Sequence, residues 1–266
     1  MKRVVFNQKG GVGKTSITCN LAAIGASMGY RTLVIDLDVQ GNTTHYLVGE
    51  IDAEAFPAEA QGVAGLFKQT VGSRRMQKNP DSFVWETPYE NLYLMPSSPV
   101  LSDMEKELES RYKIYKLRDA LARLEDEYDR IYIDTPPNFN FYSKSALIAA
   151  DSVLVPFDCD SFARQSLYSL MDNLAELQED HNPDLDVEGI VINLFNSQAR
   201  LPGELVAELE EEGYPVFDTY LTTSVKMKES HREHRPLIDL APSHKLTGQF
   251  LDLHAELERS LARAAA

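Results

Sequence analysis

Apolar residues recur along the chain in short runs, each followed by a loop and then by a stretch of helical period. Val4-Val5-Phe6, Thr32-Leu33-Val34-Ile35, Leu92-Tyr93-Leu94-Met95, Ile131-Tyr132-Ile133, Val153-Leu154-Val155 and Ile190-Val191-Ile192 are continuous enough to be strands covered on both sides. Between them the period lengthens. Ser16 to Ala23 begins a helix, Leu117, Leu121 and Leu124 recur at helical spacing, and Leu167, Leu170, Met171, Leu174 and Leu177 form an apolar stripe. Ser197 to Glu212 and Lys245 to Arg263 read as amphipathic helices, and Pro215-Val216-Phe217 as a short strand. Strand and helix in alternation predict an α/β fold, a mostly parallel twisted sheet with helices on both faces. The expectation is one domain over residues 1–266.

Residues 50–90 interrupt the pattern. Gly62 to Phe67 suggests a short helix, but Ser73 to Glu90 is polar, contains Pro80 and Pro88, and has no period. The whole stretch is expected to be a variable surface insertion, with Trp85 as a packed loop anchor.

Composition narrows the class. A chain of 266 residues with 43% hydrophobic and 25% charged positions can bury a sizeable core. Cys19 and Cys159 stand far apart, outside any metal or redox spacing, and no apolar run reaches the length of a membrane span. With no leader-like segment before the first strand, the expected location is the cytoplasm. The net charge of −15 argues against global attraction to nucleic acid but leaves room for a local basic patch. Thr222 to Pro236 is such a patch. Lys226, Lys228, Arg232 and Arg235 stand there against Glu229 and Glu233, four bases less two acids, or +2. Read alone, it is more simply a solvated helix end.

The chemistry is concentrated in the first loop. After Val4-Val5-Phe6 comes Asn7-Gln8-Lys9-Gly10-Gly11-Val12-Gly13-Lys14-Thr15, and then the first helix. Strand, glycine loop and helix in that order make a phosphate-binding loop. Gly10, Gly11 and Gly13 let backbone N–H groups close on phosphate oxygens, and the helix end at Ser16 adds its dipole. Lys14 supplies the cation for the β- and γ-phosphates, and Thr15 a hydroxyl for Mg²⁺. Two further strands end in carboxylates, at Asp36-Leu37-Asp38 and at Asp134, where parallel sheets bind ligands.

The loop departs from G-x-x-x-x-G-K-[ST] at one place: Gln8 occupies the first glycine position and is followed by an extra base, Lys9. The run Lys9-Gly10-Gly11-Val12-Gly13-Lys14-Thr15 closely resembles the deviant Walker A loop of the ParA/MinD family of ATPases. The likeness extends to Asp36-Leu37-Asp38-Val39-Gln40-Gly41-Asn42 as switch I, and to Ile131-Tyr132-Ile133-Asp134 as Walker B with switch II after it. It covers residues 1–48, 92–195 and 215–245.

The resemblance implies ATP and Mg²⁺ as cofactors and a nucleotide-sandwich homodimer in which Lys9 reaches the partner subunit's phosphates. It implies that Asp38 orients the attacking water, that Asp36 supports the magnesium shell, and that Asp134 holds Mg²⁺ through a water. Asn193 matches the position that reads adenine, although a strand-end turn residue would look the same. Arg200 and the 222–236 segment match positions that touch DNA phosphates. A ParA-type reading therefore expects nonspecific DNA binding, nucleoid association with ATP, and a stimulating partner, ParB-like or a cargo adaptor. Two alternatives come from the same loop class. A MinD-like protein would use a membrane, but Asp252, Glu256 and Glu258 on the last helix oppose an anionic surface. A metabolic synthetase would need acid/base groups that no constellation in the sequence supplies.

Overall fold

Period-two alternation divides the buried strands between two cores. Val4, Leu33, Ile35, Ile131, Ile133, Val153, Val155, Ile190 and Ile192 face one side of the sheet. Val5, Val34, Tyr132, Leu154 and Val191 face the other. Neither side meets water, which is why these runs read as continuously apolar. The computed structural model describes residues 1–49, 61–71, 78–160, 163–196 and 198–264.

Among these residues the strands are β1 (Lys2–Val5), β2 (Thr32–Asp36), β3 (Trp85–Glu86), β4 (Leu92–Met95), β5 (Arg130–Asp134), β6 (Ser152–Asp158) and β7 (Asp186–Asn193). They run in the order β3-β4-β2-β5-β1-β6-β7. All pairs are parallel except β3 with β4. The first core is covered by α3 (Gly62–Val71), α4 (Leu101–Ser110), α5 (Lys116–Leu121), α6 (Phe141–Ala149), α7 (Ala163–Asp180) and α8 (Arg200–Glu211). The second lies under α1 (Lys14–Ser27), α2 (Asn42–Val48), α10 (Leu237–Leu240) and α11 (Lys245–Ala264). The short α9 (Val225–Arg232) precedes α10. The carboxyl ends of β1, β2, β5, β6 and β7 lie along one edge, and the candidate chemistry collects there.

Three expectations change. The 50–90 stretch is only partly an insertion: Val63, Leu66 and Phe67 of α3 are fully buried core residues, and Trp85 pairs with Leu94 as an edge strand. Residues 50–60 and 72–77 lie outside the described residues. The helix expected from the spacing of Leu117, Leu121 and Leu124 stops at Leu121. It then tightens into turns with i→i+3 bonds at Arg123, Leu124 and Glu127, which still bury Leu124. Pro215–Phe217 is no strand, only a single bridge between Ile190 and Val216.

Far from the ligand edge, a β-bulge places a charge inside. Val153 pairs with Val187 but Leu154 with Gly189, so Glu188 is the extra residue and turns inward. Gly189 is required because a Cβ there would stand 2.4 Å from the Phe217 ring. Glu188 receives Nε and Nη2 of Arg3, which has no exposed surface, and the Ser152 hydroxyl at 3.0 Å. Arg3 also donates to Tyr132 Oη at 3.0 Å. Removing one partner strands a buried charge, so Arg3→Met is expected to cost about 3–5 kcal/mol in urea unfolding. Arg3→Met with Glu188→Leu should recover most of that loss. A double variant no more stable than the single would show that the pair itself stabilises the fold.

Candidate functional site

The phosphate loop, Asn7–Thr15, crosses from β1 to α1. Gly13 has φ +94°, and a Cβ there would lie 2.1 Å from Asn193 Nδ2, so both conformation and space demand glycine. Lys14 is buried, and its Nζ donates to the carbonyls of Asn7 and Lys9, each at 3.0 Å. Burial holds its pKa below the usual lysine value, against the pull of Asp134 and Asp38. An anion inside this loop would relieve that penalty.

Behind the loop stands Asp134. Its Oδ2 accepts the hydroxyls of Thr15 and Thr43, both at 2.7 Å. Its Oδ1 is buried with no hydrogen-bond partner. Asp36 pairs with it in register on β2. Burial, then the neighbouring carboxylate, raise Asp36 well above the ordinary range, and burial raises Asp134 as well. A divalent cation fits this donor set, since the orphaned oxygen and the Thr15 hydroxyl are hard oxygen ligands. Asp36, expected to support the magnesium shell, is hydrogen-bonded within its own turn. Its Oδ2 accepts the backbone N–H and hydroxyl of Thr44 at 2.8 and 2.7 Å, and its Oδ1 accepts the Asp38 N–H at 3.1 Å. It shapes the turn that carries Asp38. Asp38 itself is largely buried and accepts the Gln40 N–H at 3.0 Å.

Lys9 lies apart from this cluster. Its ammonium pairs with Asp160, and with Asp158 at 3.8 Å, both on its own subunit. Gly10 and Gly11 sit at the open tip of the loop. Asn193, expected at an adenine, donates to the Val12 carbonyl at 2.8 Å and so braces the loop. It also lines a cavity of about 430 Å³ with Gly11, Gly13, Ser16, Thr222, Thr223, Ser224, Val225 and Lys228. The hydroxyls at 222–224 were not singled out from sequence, because they arrive from a segment remote in the chain.

The basic residues are spread over α9 and the turn that follows it. Lys228, Arg232 and Arg235 are exposed. Lys226 pairs with Glu229, Arg232 with Glu233 at 3.5 Å, and Arg235 with Asp239 at 2.7 Å. Such solvent-screened surface pairs are too weak to withhold these cations from a phosphate backbone. Arg200 opens α8, and its side chain lies outside the described residues. His231, which no motif announced, is half-buried and touches Ser16.

A glycine loop at the end of a central strand, braced by a carboxylate on the next, defines a P-loop nucleotide-binding protein of the α/β class. A family model described as an AAA domain matches residues 2–187. The chromosome partitioning protein ParA of Myxococcus xanthus is 33% identical over 95% of this chain and 86% of its own. The chain belongs to the ParA/MinD family of P-loop ATPases. McdA of Cyanothece, at 22% identity, superposes with a TM-score of 0.82 over 98% of each chain and so shares the fold. Cobyrinic acid a,c-diamide synthase of Mycobacterium smegmatis, solved with an ATP analogue and magnesium, is 28% identical. It has a TM-score of 0.73 over 87% of this chain and 91% of that one.

The Gly13 geometry is directly testable. Gly13→Ala meets both the positive φ and the Asn193 amide, and calorimetry should register a loss of about 1–3 kcal/mol. Adding Asn193→Ala should return the part due to the clash and leave the part due to φ, about 1–2 kcal/mol. Full recovery by the second change would mean that the loop backbone is unstrained.

Proposed function

We propose that the protein is an ATP-dependent dimerising ATPase that binds DNA without sequence preference and positions a chromosome, a plasmid or a large protein cargo. A partner protein, ParB-like or a cargo adaptor, stimulates hydrolysis and release. The observation that carries this reading is the placement of the basic segment. Val225 and Lys228 line the same cavity as Gly11, Gly13 and Ser16, so the cationic surface begins at the nucleotide site itself. The family membership and the partition relative agree with it.

In this reading the backbone of Gly10 to Ser16 encloses the phosphates of ATP, and Lys14 turns from the Asn7 and Lys9 carbonyls to the β- and γ-oxygens. Thr15 and Asp134 hold Mg²⁺, which neutralises phosphate charge when bound. Asp38 orients the attacking water, on a turn fixed by Asp36. Lys9 leaves Asp158 and Asp160 to meet the partner subunit's nucleotide. Asn193 and the hydroxyls of Thr222 to Ser224 surround the base. Lys226, Lys228, Arg232, Arg235 and Arg200 supply phosphate contacts, which hold DNA but read no sequence. Two such patches on one clamped dimer bind far more tightly than one.

The membrane alternative loses its apolar surface. Leu246, Phe250, Leu253 and Leu257 of α11 are buried in the second core, and no helix among the described residues is long and apolar enough to cross a membrane. The likeness to the diamide synthase favours an ATP-dependent amide-forming enzyme as the second reading.

Retention of the ATP-bound dimer on unrelated duplexes across a salt series separates these readings. Wild type should be retained on all sequences alike. Arg232→Glu with Arg235→Glu should lower retention uniformly, and the slope of log K against log salt should flatten by roughly 0.9 per lost contact. Lys9→Ala should bind ATP yet neither dimerise nor be retained. Equal retention of wild type and the charge-reversal variant would remove the patch from the mechanism. Absence of retention, with ATP-dependent sedimentation on anionic liposomes, would move the protein to the membrane class.

A further inference from the structure

The basic helix is fastened to the nucleotide site by one junction. Ser16, on the first turn of α1, is followed one helical turn on by Asn20, and α2 packs beside it directly after switch I. His231 of α9 meets both helices. Its Nε2 is 2.8 Å from Ser16 Oγ, and its ring stacks on Tyr46 of α2 with centroids 4.2 Å apart and planes at 17°. The Tyr46 hydroxyl in turn is hydrogen-bonded with Ser230, which is fully buried, and accepts from Asn20 Nδ2 at 3.2 Å.

The turn that follows α9 is locked in the same way. His234 adopts φ +52°, a left-handed conformation unusual for a residue with a side chain. It closes the helix as a Schellman cap, with Arg235 N–H to Ser230 O at 3.1 Å and His234 N–H to His231 O at 3.3 Å. Neighbours secure that conformation. His234 Nδ1 lies 2.9 Å from the His45 carbonyl, its ring meets the His45 ring edge-on at 4.3 Å, and Tyr89 donates to its carbonyl at 2.7 Å. The segment bearing Lys226, Lys228, Arg232 and Arg235 is therefore held at its C-terminal end by α2, through His231 and His234, and by the phosphate-loop helix through His231.

Ser16 faces two ways. It lines the cavity of about 430 Å³ beside the loop, while its bonding partner His231 lines a second of about 320 Å³ with Thr15, Asn42 and Tyr46. A phosphate oxygen entering the loop competes for the Ser16 hydroxyl proton. His231 can accept that proton or donate its own, but a single neutral tautomer cannot do both at Nε2. Burial lowers the His231 pKa, which keeps the ring neutral near pH 7. Where Ser16 is the donor to Nε2, occupation of the loop obliges His231 to become the donor instead, a change at the contact that positions α9.

We propose that His231 is a positioning residue through which nucleotide at Ser16 sets the placement of the basic helix. The coupling rests on the DNA-binding reading for its purpose, but its structural part stands without DNA. Thermodynamic linkage makes it reciprocal: DNA must tighten nucleotide by the factor by which nucleotide tightens DNA.

The test uses the full chain with a non-hydrolysable ATP analogue and Mg²⁺, in wild type, His231→Phe and His231→Gln. Phenylalanine keeps a ring on Tyr46 and removes the bond to Ser16, whereas glutamine restores a donor and an acceptor. Amide hydrogen exchange over Val225–Arg235 is read with and without the analogue, followed by DNA retention under the same conditions. In wild type the analogue should slow exchange in this segment, and the DNA coupling factor should fall in the range of roughly 5–150-fold. His231→Phe should bind the analogue with comparable affinity yet lose the exchange response and bring both coupling factors close to one. His231→Gln should restore them.

An exchange response and coupling factor in His231→Phe equal to wild type overturn the inference. Failure of both variants to fold overturns it too, since His231 would then be a packing residue. Loss of the exchange response in His231→Phe alone, with no DNA retention by wild type, sustains the coupling and removes the DNA-binding reading instead.

Discussion

One carboxylate ties three parts of the molecule to a single point. Asp134, at the end of β5, receives Thr15 from the first turn of α1 and Thr43 from the first turn of α2 on the same oxygen. Removing a carboxylate from water costs several kcal/mol, and two hydroxyl donors offset only part of it. Its other oxygen has no partner, and Asp36 stands beside it as a second buried carboxylate. The negative charge gathered there is what makes a magnesium nucleotide a stabilising ligand for this fold. It also ties the end of the phosphate loop and the helix after switch I to one atom.

From that point two paths lead outward. One runs through switch I to α2, where His45 and Tyr46 grip the basic segment. The other runs along the phosphate loop to Lys9, whose ammonium rests on Asp158 and Asp160. That pair is partly exposed, and breaking it costs about 0–1 kcal/mol, so it parks the lysine without opposing its transfer to another anion. A chain of net charge −15 needs such local arrangements. Its cations act on phosphate only within roughly 8–10 Å in physiological salt, where the acidic remainder is screened.

The phosphate loop was legible because its chemistry is written in contiguous residues between a strand and a helix, and no other backbone suits Lys9 to Thr15. The strands were legible because both faces are covered. Where a residue's task depends on remote neighbours, the sequence is silent. Nothing local says that Asp36 accepts both the N–H and the hydroxyl of Thr44, or that Asn193 braces the Val12 carbonyl. His231 and Ser16 are separated by 215 positions, and no local pattern joins them. The apolar side of α11 is equally suited to lipid or to core, and only packing on α1 decides it. In residues 50–90 the short helix is legible at Gly62 to Phe67, but its burial is not, because Val63, Leu66 and Phe67 pack on partners remote in the chain.

The central claim is that the unpartnered oxygen of Asp134 exists for a cation that accompanies nucleotide. Asp134→Asn keeps the shape and an acceptor for Thr15 and Thr43 but removes the charge. Binding of a fluorescent ATP analogue should be titrated with Mg²⁺ and with chelator, in wild type and in this variant, with far-UV circular dichroism to confirm the fold. Mg²⁺ should tighten binding to wild type, and Asp134→Asn should lose about tenfold or more of that gain, at least about 1.4 kcal/mol. An undiminished Mg²⁺ effect in the folded variant would contradict the account, and the buried carboxylate would then be only a structural clamp between α1 and α2.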